Sequence, residues 1–315
     1  MHILFTGASS FSGSWFVRKL CDAGHHVTAT FSRANFADYQ GLSSARVRMI
    51  SKDIEPLFGC SFGAPKMLDY LQENSVDLIC MHGAKVGNHR DVDFSLTDAV
   101  ATNTSNLSKV LDAASSNLKG IVYTGTYFEA DVGEGSHPLR AFSPYALSKT
   151  FTWQVLRFYC EQRGLLAAKF VMPNPFGPLE KSGFTSYLAK CWTTDQMPVV
   201  RTPNYVRDNI PADLLSICYR DFCQEFSVNG VTSSYFEPSG YRLSQRSFAK
   251  RYACEIGKRW GRELSFDVSV QSDFSEPGER MNREPIIECD VGWDESIFWD
   301  SLAAWYKSSE FLTSF

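Results

Sequence analysis

The sequence contains no apolar run approaching the ~20 residues a membrane-spanning helix needs. It also lacks a net basic charge. The 315 residues carry a formal charge of −4, and the densest basic stretch, KRWGR at 258–262, reads as a solvated helix face, so a nucleic-acid partner is not expected. No CxxC pair occurs among the nine cysteines, and an odd number cannot all be bridged. They read as reduced, mostly buried thiols of a cytoplasmic protein. The opening residues MHILFTGAS lack the basic start and long apolar stretch of a secretion signal. All six histidines lie at or before His137, and no His/Cys/carboxylate spacing suggests a metal.

What is present is ordinary globular composition, 44% apolar and 21% charged, on a chain long enough for one large domain or two interleaved ones. HILFT (2–6) predicts a strand and SGSWFVRKLCDAG (12–24) a helix closed by Gly24. HVTATF (26–31), entered through a loop at His25, is a strand candidate, as are ARVRMI (45–50), VDLICM (76–81) and GIVYTG (120–125). Leu96, Val100, Leu107, Val110, Leu111 and Ala114 recur at helical spacing. A long helix is expected over 145–164 and a strand over 167–172. Near-continuous apolar strands alternating with helices imply an α/β fold, a doubly wound parallel sheet covered on both faces. It occupies 1–172. A smaller mixed α/β domain for substrate follows over 173–315, with segments around 199–235 returning to the first.

TGASSFSG, from Thr6 to Gly13, follows the first strand and opens a helix. Gly7 permits a tight turn and Gly13 close approach of helix and sheet, with free N–H groups facing a pyrophosphate; Ser10 keeps its N–H toward the ligand and adds a hydroxyl. A plain strand–turn–helix would share the glycine pair. About twenty residues on, where a free ribose 2′-hydroxyl meets a carboxylate, the second strand ends in Thr30, Phe31, Ser32, Arg33. A serine beside a guanidinium suits a 2′-phosphate, so NADP(H) is favoured over NAD(H).

Tyr145 and Lys149 in YALSK stand one helical turn apart behind Ser143–Pro144, a helix start. A phenol near pKa 10 works at neutrality if lowered by about three units, roughly 4 kcal/mol of preference for the phenolate. A neighbouring ammonium and a cationic nicotinamide ring are the expected source. Thr126 is a candidate second donor to a developing oxyanion.

TGASSFSG, Asp53–Ile54, HGA (82–84), Asn103 in ATNTSNL, TGT (124–126) and YALSK occur in order, and NPFGP (174–178), VRDN (206–209) and EPGERMN (276–282) come later. Over nearly its whole length the chain thereby resembles the extended short-chain dehydrogenase/reductases, the NAD-dependent epimerase/dehydratase family with its Rossmann-type domain, in their nucleotide-sugar-modifying branch. The resemblance implies that Gly7, Ser9, Ser10, Phe11 and Gly13 line the pyrophosphate and that Asp53 and Ile54 contact adenine. It implies that Gly83 and Ala84 pass beneath the cofactor, that Lys149 holds the nicotinamide ribose, and that Asn103 supports the site from behind. Asn174, Arg207 and Arg280 would approach the diphosphate of a nucleotide sugar. It further implies a homodimer, paired through the helices around Asn103 and Tyr145, where Phe151, Trp153, Phe158 and Tyr159 offer apolar surface.

Departures narrow the reaction. Tyr127 and Phe128 replace the acid and base that follow the threonine in dehydratases of this family, and Glu129 falls one position too far. Tyr127 also replaces the cysteine of enzymes that invert carbons beside a ketone, and no histidine in the C-terminal half offers a partner acid. The 4-epimerases hold NAD and close the second strand with an acidic residue. The expectation is an NADPH-dependent reductase of a nucleotide-activated 4-keto-6-deoxy sugar. An NAD-retaining 4-epimerase and a non-catalytic NADP-binding regulator are the rivals.

Overall fold

In the computed structural model, which describes residues 1–87, 93–114, 117–181, 183–229 and 233–313, seven strands lie parallel in one sheet. They are β1 (His2–Phe5), β2 (His26–Phe31), β3 (Glu55–Phe58), β4 (Leu78–Met81), β5 (Gly120–Thr126), β6 (Leu166–Met172) and β7 (Ser233–Phe236), in the order β7-β6-β5-β4-β1-β2-β3. Every residue of β4 and β5 is buried. Such strands need cover on both faces, and the helices supply it. On one side Phe16, Val17 and Leu20 of helix Phe11–Asp22 join Leu214, Leu215 and Cys218 of helix Ala212–Asn229. There Phe16 stacks on Tyr219 with ring centres 4.1 Å apart. On the other side helices Pro65–Glu73, Leu107–Ala113 and Pro144–Glu161 pack Met67, Val110 and Trp153 against the sheet.

ARVRMI departs from expectation: it belongs to a helix, Gly41–Ile50. Val47 and Ile50, three residues apart, face the core, a spacing that fits a helix. The third strand is instead EPLF at Glu55–Phe58, on the sheet edge, where the absent N–H of Pro56 leaves no ladder bond unmade. The apolar positions from Leu96 to Ala114 form two helices, Leu96–Asn103 and Leu107–Ala113, broken at Asn106, whose φ is +49°.

A second sheet orders Tyr241–Ser244, Val206–Pro211, Glu279–Met281 and Glu134–Gly135, with Asn174–Phe176 paired to Val206–Pro211. It stands beside an aromatic core containing Phe176, Trp192, Tyr252 and Trp299. After helix Ala212–Asn229 the chain adds β7 to the first sheet, beside β6. On helix Pro144–Glu161, Phe151 and Phe158 are exposed, whereas Trp153 is buried against Tyr123. All nine cysteines are free thiols. Among the described residues no helix is long and apolar enough to cross a membrane.

Candidate active site

Gly7 follows β1 with φ +81°, and a Cβ there would lie 2.7 Å from the Cα of Gly83. The segment leaving β4 therefore passes directly against the turn. At Gly13 a Cβ would fall 2.3 Å from the carbonyl oxygen of Gly7, so only glycine lets the helix begin so close. Ser10 acts differently from the sequence expectation. Its N–H donates to the Gly7 carbonyl (3.1 Å) and its Oγ caps the helix by accepting from the Gly13 N–H (3.0 Å).

His82 was not singled out by the sequence, where HGA drew attention to its glycine and alanine. Its Nε2 lies 3.1 Å from Ser10 Oγ and 3.2 Å from Ser12 Oγ, and its Nδ1 lies 3.1 Å from Thr124 Oγ1. Burial lowers its pKa to about 3, so the ring is a neutral strut tying the glycine turn to β5.

A cavity of about 680 Å3 opens at the carboxyl ends of the strands, lined by Gly7, Ser9, Ser10, Ser12, Gly83, Ala84, Tyr145 and Lys149, with Arg46 and Lys181. Next to it lies another of about 680 Å3 lined by Thr30, Ser32, Cys60, Ser61, Phe62 and Asn103, and one of about 500 Å3 lined by Ser32, Arg33, Asp38 and Tyr39. They run over the point where strand order reverses between β4 and β1, where α/β sheets bind dinucleotides. The cradle fits such a group: the glycines remove the Cβ atoms that would fill it, and Arg33, Arg46 and Lys181 bring positive charge.

Asp53 and Ile54 sit elsewhere. They precede β3, at its opposite end, where Asp53 pairs with Arg18 at 2.9 Å. Because the third strand begins later than expected, Cys60, Ser61 and Phe62 take the groove-facing place after it. Phe11 and Gly13 are not among the residues facing the cavity; Phe11 lies beneath the Arg46 guanidinium at 5.8 Å. Arg46, buried, donates from Nε and Nη2 to the Leu179 carbonyl (3.0 and 2.7 Å), drawing that loop onto helix Gly41–Ile50. At the amino ends of the strands His2, His26 and Glu55 come together, a grouping no linear spacing announces. There His2 hydrogen-bonds the Ser75 carbonyl and Thr28.

Lys149, buried, and Tyr145, half-buried, stand on one wall of the first cavity. Pro144 occupies the first turn of their helix and Ser143 Oγ caps it through the Ala146 N–H at 3.1 Å. Lys149 Nζ donates to the Thr124 carbonyl at 2.6 Å and lies 4.4 Å from the centre of the Tyr123 ring. Burial lowers its pKa to about 8. Tyr145 moves opposite to the expectation: burial, and then the charge of Glu129, raise its pKa. Desolvation of the phenolate is the leading cause, and the Lys149 ammonium is committed to the Thr124 carbonyl.

Asn103 accepts from the Lys85 N–H (2.8 Å) and donates to Thr152 Oγ1 (3.3 Å), joining the segment after β4 to helix Pro144–Glu161. Thr126 ends β5, buried, with Oγ1 accepting from the Phe128 N–H at 3.4 Å.

Arg207 and Arg280 are brought together but buried. Arg207 pairs with Glu276 at 2.9 Å and donates to the Pro277 carbonyl, and Arg280 donates to the carbonyls of Tyr127 and Glu129. Neither lines the groove, because the second sheet uses both guanidiniums internally. Asn174 is half-buried, in register with Asn209.

Comparison with known proteins agrees with this geometry. The family model described as the NAD dependent epimerase/dehydratase family matches residues 3–212. The low-salt glycan biosynthesis protein Agl12 of Haloferax volcanii is 26% identical over 309 residues, covering 86% of this chain and 97% of that protein. UDP-glucuronic acid 4-epimerase from Bacillus cereus, solved with UDP-glucuronic acid and NAD, superposes with a TM-score of 0.72 at 17% identity, covering 98% of this chain and 99% of that one. DesIV, a dTDP-glucose 4,6-dehydratase from Streptomyces venezuelae solved with NAD, gives 0.70 at 19%, covering 97% of each. With its reversed-order parallel sheet, its glycine turn and its Tyr145–Lys149 wall, the chain belongs to the NAD-dependent epimerase/dehydratase family of enzymes.

Proposed function

We propose that the protein is a reductase that passes hydride from NADPH to the 4-keto group of a nucleotide-activated 6-deoxyhexulose, Tyr145 giving the proton to the carbonyl oxygen. The observation that carries this reading is the turn after β5. Tyr127 and Phe128 offer no carboxylate there, and both oxygens of Glu129 face inward, to the Thr126 N–H (2.8 Å) and to Lys169. An elimination needs an acid and a base at that turn, whereas carbonyl reduction needs only the phenol and an oxyanion donor. The nucleotide sugars bound by the solved relatives, and the glycan pathway in the name of the Haloferax protein, support the substrate class.

When bound, the cofactor supplies the hydride. Gly7, Ser9, Ser10, Gly83 and Ala84 would hold it, with Ser32 and Arg33 meeting the 2′-phosphate. Lys149 would hold the nicotinamide ribose, and its charge would favour the phenolate left when Tyr145 gives up its proton. The Thr126 hydroxyl would fix the carbonyl oxygen. Exposed Phe151 and Phe158 support pairing of two subunits, and nine free thiols support a reducing, cytoplasmic setting.

One observation favours a 4-epimerase that keeps NAD: Asp38 lines the same cavity as Arg33, placing a carboxylate near the ribose end. Mixing the protein with NADPH and a panel of nucleotide-linked 4-keto-6-deoxy sugars decides between them. NADPH consumption is expected, together with a rate loss of about 10²–10⁴-fold for Tyr145→Phe. Protein that instead arrives carrying oxidised NAD, and interconverts 4-epimers with nothing added, retires the reductase.

A further inference from the structure

Behind the Tyr145–Lys149 wall lies a charge pair that the reaction does not directly use. Glu129 and Lys169 form an ion pair with side chains 0% and 2% exposed, so neither charge is screened by water. Glu129 Oε1 accepts from the Thr126 N–H at 2.8 Å, while the Glu129 N–H donates to the Thr126 carbonyl at 3.0 Å. The carboxylate and the backbone N–H of Glu129 thus hold the two sides of the Thr126 peptide in the tight turn at the end of β5. Lys169, from β6, lies over the rings of Trp153 and Tyr235 at 5.7 and 5.8 Å. Gly125 makes room for the pair: a Cβ there would lie 2.5 Å from Lys169 Cε and 2.7 Å from Glu129 Oε1.

We propose that Glu129 and Lys169 are positioning residues that hold Thr126 and set the charge balance felt by Tyr145 and Lys149. The inference rests on the reading of those two residues as the proton-handling pair. A buried ion pair is a poor source of stability compared with a packed apolar pair, so its place directly behind the reacting groups calls for another reason.

The electrostatics agree in sign. Glu129 raises the pKa of both Tyr145 and Lys149, and Lys169 lowers that of Lys149. Among the described residues the other ionisable groups around the two include Tyr123 on β5, whose phenol burial keeps protonated, and neutral His82 after β4, while Arg46 and Lys181 line the same cavity. Asp93 precedes Phe94, whose ring meets Tyr145 edge-on, and the Lys85–Asp98 pair at the neighbouring helix is partly exposed. Glu129 and Lys169 are the pair that is both buried and charged behind the wall among the described residues.

The test needs no substrate. Lysines carrying 13C at Cε report the titration of Lys149 by NMR, the signal assigned by its loss in Lys149→Met. Glu129→Gln leaves Lys169 unopposed and should move the Lys149 titration down by about one pH unit, and Lys169→Met should move it up by about as much. The double variant should return near the wild type. Measuring in trimethylamine N-oxide keeps destabilised single variants compact. A Lys149 titration unmoved by both single changes, or moved the same way by both, overturns the proposal, since a purely structural pair has no reason to give opposite signs. Where the wild type turns over, the alkaline limb of the reduction rate should follow the same order. Absence of turnover with normal titration shifts would count against the proposed reaction and leave the positioning role standing.

Discussion

Arg207 and Arg280 are register partners on adjacent parallel strands of the second sheet, and both guanidiniums point into the protein. Arg280 carries the carbonyls of Tyr127 and Glu129, so it braces the turn that ends at Glu129. Replacing it by leucine strands those two oxygens. Arg280→Leu should lower urea-unfolding stability by about 2–4 kcal/mol. A variant as stable as the wild type but with a strongly raised KM would show that the guanidinium belongs to substrate instead.

Lys149 sets a stability–pH relationship. Its pKa in the fold is about 8 against the ordinary 10.5, because burial disfavours the charge. The unfolded chain therefore binds more protons between these values, and stability rises with pH across that window. Below pH 8 the buried charge costs about 3 kcal/mol, following the size of the shift. Lys149→Met should unfold at higher urea than the wild type at pH 7, and its advantage should shrink as pH climbs from 8 toward 10.5. An advantage that does not vary with pH would refute the linkage.

Gly13 has no room for a methyl group. Gly13→Ala places a carbon 2.3 Å from Gly7 O and 2.6 Å from Ser10 Oγ, so either the turn or the start of the helix must move. A loss of about 1–3 kcal/mol in stability is expected from such overpacking. Nicotinamide-cofactor fluorescence should fall away with it. Retained cofactor affinity would mean that the glycine turn is not the cradle.

Arg33 bears on cofactor choice. A charge-assisted bond to a 2′-phosphate is worth about 1.5–3 kcal/mol, so Arg33→Ser should lower NADPH affinity about 10- to 100-fold and leave NADH nearly unchanged. Titrating both cofactors against both proteins measures the ratio. Equal loss for the two would place Arg33 away from the phosphate, and Asp38 would then decide the ribose contact.

Parts of this protein were legible as sequence because they are local. The turn at Gly7 depends on a backbone angle that few other residues adopt, and Ser143–Pro144 starts a helix by its own chemistry. Strands β1, β2, β4, β5 and β6 announced themselves by continuous apolarity, and the Tyr145–Lys149 pair by one helical turn of spacing. Strand β3 and the helix at Gly41–Ile50 were misread because each is short, and an apolar run of that length suits either period until something packs on it.

Burial and distance were decided only by the fold. Arg207 and Arg280 have the right chemistry for a diphosphate, yet neighbouring strands enclose them. Glu129, one place too far along the chain to act as an acid, is carried by a tight turn onto Lys169, forty residues away, directly behind Tyr145. His82 joins Ser10 to Thr124 for the same reason. Residue types set what each group can do, but the electrostatic cost of that chemistry depends on which side chains the sheet brings together and how much water it leaves them.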